Sequence, residues 1–214
     1  MKPRVTIVDY GVGNLLSVRG ALEYCGAEAQ FSSSPKEIES AERLLLPGVG
    51  AFADSMADMH DRNLVEPVLG FAETGRPLLG ICLGMQMLME ESEEFGRHEG
   101  LGLVKGRVVS IPPNGADGKP HRIPHIGWSE LYPSHPGGWD GTLLKDLCTG
   151  DSVYFVHSFM AVPERPHDRI ADCDYHGQKI CAAVHRDNDF GCQFHPEKSG
   201  EVGIQILRTF IALR

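Results

Sequence analysis

Two hydrophobic rhythms run along the chain. Up to residue 92, short unbroken apolar runs ("RVTIVD" at 4–9, "AQF" at 29–31, "RLLLP" at 43–47, "PLLGIC" at 77–82) alternate with longer stretches in which apolar residues recur every three or four positions (14–26, 34–42, 51–75, 83–92). Continuous apolar strands spaced by amphipathic helices are the pattern of a parallel sheet covered on both faces. Ser34-Pro35-Lys36-Glu37 reads as a capping box with proline in the first turn, and Gly26 as the stop of the preceding helix.

Beyond residue 103 the rhythm shortens. Strand-like runs at 103–111, 125–132, 152–159, 169–175, 179–185 and 191–195 are punctuated by Gly and Pro, with hairpin turns predicted inside "DYHGQKI" (174–180) and "HRDNDFG" (185–191). Residues 112–124 read as a loop. The last stretch, 200–213, places Val202, Ile204, Leu207, Phe210 and Ile211 on one apolar stripe of a terminal helix. The expected fold is α/β, a mainly parallel central sheet with helices on both faces and antiparallel strands in the C-terminal half. The expected organisation is a single domain over 1–214.

Composition narrows the function classes. The 29 acidic and 20 basic residues leave a net charge of -9, which supplies no basic stripe for nucleic acid or anionic lipid. No run approaches the ~20 apolar residues that span a bilayer, so a cytoplasmic chain acting on small molecules or proteins is expected. The six cysteines form no CxxC pair, which argues against a zinc ribbon, and no metal or cofactor is expected.

The chemistry concentrates in three places. "GICLGMQ" (80–86) sets Cys82 between two glycines where a strand gives way to a helix, the arrangement of a nucleophile elbow, with the Leu83 N–H facing the place where an oxyanion forms. "QFHPE" (193–197) offers His195 as the base for that thiol and Glu197, two residues on, as the carboxylate that orients the base. Pro196 keeps His195 out of the helical region, so an extended tripeptide is expected to point both side chains one way. "LPGVGAF" (46–52) follows another strand at its carboxyl end, where open α/β sheets bind ligands, and places an N–H of Val49 or Gly50 as the second oxyanion donor. Each stretch alone has a purely structural explanation; the conjunction points to acyl transfer.

Together these motifs resemble the class I, triad-type glutamine amidotransferases, which hydrolyse glutamine through a cysteinyl thioester and hand ammonia to a synthase. The matches run in the family's order along nearly the whole chain. "DYGVGN" (9–14), "PGVGAF" (47–52), "YFVHSF" (154–159) and "HPEKSG" (195–200) are similar to the amidotransferase subunit of imidazole glycerol phosphate synthase. The resemblance implies a heterodimer with a (β/α)8-barrel cyclase subunit and L-glutamine as substrate. It also implies a glutamine site lined by Gly50, Gln86, His157 and Ser158, and a partner interface at Asn14, Trp128 and Lys198. Asn14 reads equally as a cap of the first helix, and Lys198 as a solvated lysine. There are two departures from that branch: Ser129 stands where an asparagine is expected, and Phe159-Met160 where an aromatic pair is expected. Other readings stay open at this point: an amidotransferase of the anthranilate or aminodeoxychorismate type, a γ-glutamyl peptidase, or a catalytically silent scaffold.

Overall fold

A computed structural model describes residues 2–213. The elements run β1 (Arg4–Val8), α1 (Leu15–Tyr24), β2 (Glu28–Ser32), α2 (Pro35–Glu39), β3 (Leu44–Leu46), α3 (Phe52–Asp61), α4 (Val65–Glu73), β4 (Leu78–Ile81), α5 (Leu83–Met87), β5 (Met89–Ser92), β6 (His98–Glu99), β7 (Val104–Ser110), β8 (His125–Pro133), β9 (Ser152–His157), β10 (Phe159–Pro163), β11 (Arg169–Tyr175), β12 (Gln178–Arg186), β13 (Asp189–Cys192) and α6 (Gly200–Ala212). Nine strands form the main sheet in the order β2-β1-β3-β4-β13-β12-β11-β8-β9. The first five are parallel. From β13 outward every pairing is antiparallel.

The unbroken apolar strands divide their side chains between two cores. Val5, Ile7, Leu45 and Leu79 face one side with Val18 and Leu22 of α1 and Ile206, Leu207 and Phe210 of α6. Val8, Leu44, Leu46 and Leu78 face the other, against Ile38 of α2, Phe52 and Met56 of α3, and Val68 and Phe71 of α4. A strand covered on both faces has no polar side to show, and this is why the sequence pattern is continuous rather than alternating.

Four local readings are corrected by the structure. Residues 83–92 do not form one helix: α5 ends at Met87, and Met89–Ser92 is a strand pairing parallel with β7 in a second sheet of order β10-β7-β5-β6. Met89 is fully buried there, and an apolar run this short cannot by itself separate a buried helix from a buried strand. Stretch 51–75 is two helices, broken where Asn63 takes φ +56. The capping box does not close. Ser34 precedes α2 as foreseen but makes no side-chain cap bond, and its N–H goes not to Glu37 but to the Ser32 hydroxyl at 3.0 Å, which itself donates to Glu37 at 2.6 Å. On α6 Ile206 joins Leu207, Phe210 and Ile211 in the buried stripe, with Val202 and Ile204 only half-buried. Gly26 does stop α1, at φ +94, with its N–H on Glu23 O and the Ala27 N–H on Leu22 O.

What positions the site is the tightness of the carboxyl edge of β3 and β4. A Cβ on Gly84 would overlap the Leu46 carbonyl, and one on Gly48 would stand 2.6 Å from Gly84 N and 2.7 Å from Leu83 Cβ. Backbone must therefore touch backbone where the two loops leave the sheet. Gly84→Ala is expected to lower unfolding stability by at least about 2 kcal/mol in chemical denaturation, since rigid main chain on both sides leaves the methyl nowhere to go; an unchanged midpoint would mean that the loops part freely.

Candidate active site

Cys82 sits at the turn between β4 and α5 with φ +55 and ψ −111. A non-glycine residue in that region carries backbone strain, held here by its N–H on Cys192 O at 2.7 Å and its carbonyl under the Gln86 N–H at 3.2 Å. The result is the elbow expected from the sequence: the thiol stands at the sheet edge, with Leu83 opening the helix behind it. The loop after β3 lies against that elbow. Gly50 takes φ +110, a region only glycine enters freely, and Val49 is left 40% exposed.

His195 follows β13, the strand beside β4. Its Nδ1 bonds Glu197 Oε1 at 2.8 Å, both side chains almost wholly buried. The geometry of this pair differs from expectation in one respect. His195 is extended, but Pro196–Lys198 is a turn of 3-10 helix, so the carboxylate curls back to the ring rather than lying parallel to it. The turn is tied down by the His195 N–H on Tyr154 O and by Ser199, whose hydroxyl bonds His195 O at 2.7 Å and accepts the Tyr154 N–H at 3.0 Å. The second ring nitrogen, Nε2, is buried without a hydrogen-bond partner, on the side of the cleft that Cys82 shares. Burial works against the imidazolium; Cys82 and Glu197 outweigh it and lift the His195 pKa to about 9.

A cleft of about 410 Å³ joins these groups, lined by Val49, Gly50, Cys82, Leu83, Gln86, Glu94, Phe95, Pro124, Val156, His157, Ser158, Phe159 and His195. All residues expected at the oxyanion hole and the glutamine site therefore border one space. Of the interface candidates, Trp128 is 57% exposed and edge-on to Tyr154, Lys198 is exposed, and Asn14 is half-buried without making a side-chain cap bond to α1.

Three further residues shape the cleft. Gln193, fully buried, accepts from Gln86 Nε2 at 3.0 Å and points its own amide at the Cys82 sulfur, 3.8 Å away. Gln193 stands two residues before His195, so the two-residue spacing that singled out Glu197 in the sequence, applied in the other direction, reaches Gln193 as well. Glu94 accepts the Phe52 N–H at 2.6 Å, tying the end of the 47–51 loop and the start of α3 to the segment after β5. Phe95, at φ +54 and 88% exposed, meets Phe159 edge to face at the mouth. Neither Glu94 nor Phe95 carries a signal in the sequence, because their place depends on the unforeseen strand β5.

The departure at Ser129 has a structural partner. His157 Nδ1 lies 2.8 Å from the Phe159 carbonyl, so that nitrogen carries the proton and Nε2 accepts. His125 Nδ1, 3.1 Å from His157 Nε2, must then donate, and its Nε2, 2.9 Å from Ser129 Oγ, accepts from the hydroxyl. Burial favours the neutral forms, drawing His125 down to about 4 and His157 to about 3. The Phe159 carbonyl also receives Gln86 Nε2 at 3.1 Å, so the chain of bonds ends on the glutamine-site wall.

The chain matches the family model "Glutamine amidotransferase class-I" over residues 6–213. It is 55% identical over 210 residues to imidazole glycerol phosphate synthase subunit HisH 1 of Legionella pneumophila (strain Lens), covering 98% of this chain and 99% of that protein. It is 46% identical over 207 residues to the HisH subunit of Syntrophotalea carbinolica, covering 96% and 98%. The same fold recurs in the structure of PurLQS from Thermotoga maritima, with a TM-score of 0.72 at 23% identity over 98% of each chain. A glutamine amidotransferase from the same organism superposes with a TM-score of 0.64 at 16% identity over 94% of this chain and 79% of its own. The chain belongs to the class I glutamine amidotransferase family. Within it, its place is among the HisH subunits.

Imidazole nitrogen NMR tests the proton placement. At pH 5.5 His125 and His157 are expected neutral with the proton on Nδ1, whereas His195 is expected cationic at pH 8; the reverse pattern would undo the assignment. The linkage signs are opposite. Between pH 6.5 and about 4 the folded chain binds fewer protons at His125 and His157 than the unfolded chain, so these rings remove stability as pH falls. His195 contributes stability that is full below 6.5 and lost as pH rises through about 9. Ser129→Ala is expected to cost about 1–2 kcal/mol by leaving a buried ring nitrogen unpaired, and Ser129→Asn to restore it.

Proposed function

We propose that the chain is the glutaminase subunit of an imidazole glycerol phosphate synthase, hydrolysing glutamine to glutamate and ammonia. The observation that carries this is the convergence of Cys82, the His195–Glu197 pair, Gln86 and the Val49–Gly50 loop on one cleft. Cys82 Sγ attacks the carboxamide carbon, and the oxygen, now an anion, is held by the Leu83 N–H and by an N–H of Val49 or Gly50. The tetrahedral adduct collapses as His195 passes its proton to the nitrogen, breaking the C–N bond and releasing ammonia from a Cys82 thioester. Water then attacks the thioester with His195 as base, glutamate leaves, and the thiolate returns. Glu197 holds the ring through Nδ1 throughout.

The ammonia passes to a (β/α)8-barrel cyclase subunit, which forms imidazole glycerol phosphate and aminoimidazole carboxamide ribonucleotide in histidine biosynthesis. The heterodimer works in the cytoplasm, without nucleic acid or membrane, and residues 1–214 act as one amidotransferase domain. Asn14, Trp128 and Lys198 form the docking face. Support comes from Trp128, a large aromatic left exposed, and from Asn14, whose side chain is not engaged in capping α1. Gly48 and Gly50 flank Val49, so the loop between them is the element whose N–H groups the docked partner brings into line.

Glutamate release by the purified chain is expected to be slow alone and to rise at least about ten-fold with the cyclase subunit and its ribonucleotide ligand. Cys82→Ala is expected to lose release in both states, by about 10⁴-fold or more. A complex that forms but releases no glutamate would indicate a silent scaffold; the absence of any complex would point to another synthase.

A further inference from the structure

Tyr10 takes no part in the chemistry above, yet its position is unusual. It follows β1, which lies between β2 and β3 in the sheet, so the loop carrying it runs beside the loop after β3 that carries Val49 and Gly50. The side chain is fully buried. Burial above all keeps the phenol protonated, raising its pKa, so the hydroxyl is a donor in need of an acceptor. It donates to the Pro47 carbonyl at 2.5 Å. The same oxygen lies 3.7 Å from Met87 Sδ, the last residue of the helix that opens behind Cys82.

The Pro47 carbonyl shares one rigid plane with the Gly48 N–H. Gly48 in turn is pressed on Leu83 and Gly84, with no room for a Cβ. The loop base is therefore fixed from two sides, by a hydroxyl at Pro47 and by the elbow at Gly48. Freedom begins only at Val49 and at Gly50 with its φ of +110. An oxyanion hole assembled from two separate segments works only while the spacing of its two N–H groups is held, and each donor is worth about 10²- to 10³-fold in rate.

We propose that Tyr10 is a positioning residue for the oxyanion hole: its hydroxyl clamps the Pro47–Gly48 peptide against the nucleophile helix, so that the loop's donor and the Leu83 donor keep one spacing. The proposal rests on the glutaminase reading above. Gly13 brings the same β1–α1 loop against the Pro47 ring, since a Cβ there would meet Pro47 Cβ at 3.7 Å. The clamp thus lies on the segment that ends in Asn14.

Tyr10→Phe removes one oxygen and keeps the ring. In the complex with the cyclase subunit, kcat for glutamate release is expected to fall about ten-fold, a partial loss of one donor, with KM for glutamine unchanged within about two-fold. Two labels of Cys82 separate positioning from folding. A glutamine-mimicking diazoketone develops charge on its carbonyl oxygen and should label the variant more slowly in proportion to kcat; iodoacetamide, which alkylates sulfur by displacement and builds no oxyanion, should label it at the parent rate. An unchanged or raised kcat overturns the proposal, and so does a variant in which both labels slow together, since that is general disorder of the elbow. A parent chain that releases no glutamate in the complex would instead defeat the glutaminase reading itself.

Discussion

The site depends on one steric fact: at the carboxyl edge of the sheet, the turn after β4 and the loop after β3 touch through backbone, with Gly48 and Gly84 leaving no space for side chains. Close contact fixes the thiol and the loop in one frame without any bond between their side chains. Parallel strands end on the same edge, so the segments after β1, β3, β4 and β13 all arrive there, bringing Tyr10, Gly48, Cys82 and His195 within one neighbourhood. The strain at Cys82 persists because two backbone hydrogen bonds and this packing over-determine it.

Much of this was legible in the chain. Unbroken apolar runs mean strands buried on both faces, and the two cores divide those runs residue by residue, as the pleat requires. Glycines flanking a cysteine at a strand end pointed to the tight strand-to-helix turn at Cys82, and the histidine with a carboxylate two residues on to the bonded pair His195–Glu197. The His195–Glu197 bond was reached by a different backbone path, through a 3-10 turn, because the proline that keeps His195 extended also starts a helical turn after it.

What escaped has a common physical cause. Residues 83–92 carry Met, Leu and Glu, good helix formers, and only pairing with β7, distant in sequence, turns their second half into strand β5. With β5 missed, Glu94 and Phe95 could not be placed on the cleft. The Ser129–His125–His157 chain joins residues on two strands whose register no single segment encodes. Tyr10 looked like part of a family motif, with nothing local to say that its hydroxyl reaches Pro47.

The proton affinity of His195 has a consequence for the order of events. Burial disfavours the charged ring; Cys82 beside it, together with Glu197, outweighs burial and retains the proton. In the glutaminase mechanism proposed above the sulfur enters a thioester, and the ring loses one of these two supports at the moment it has given its proton away. The same imidazole then finds itself in surroundings that suit a base, ready to take a proton from water, and recovers its former affinity only when the thiolate is set free. In that mechanism each covalent state of the cysteine sets the proton affinity of the ring for the step that follows.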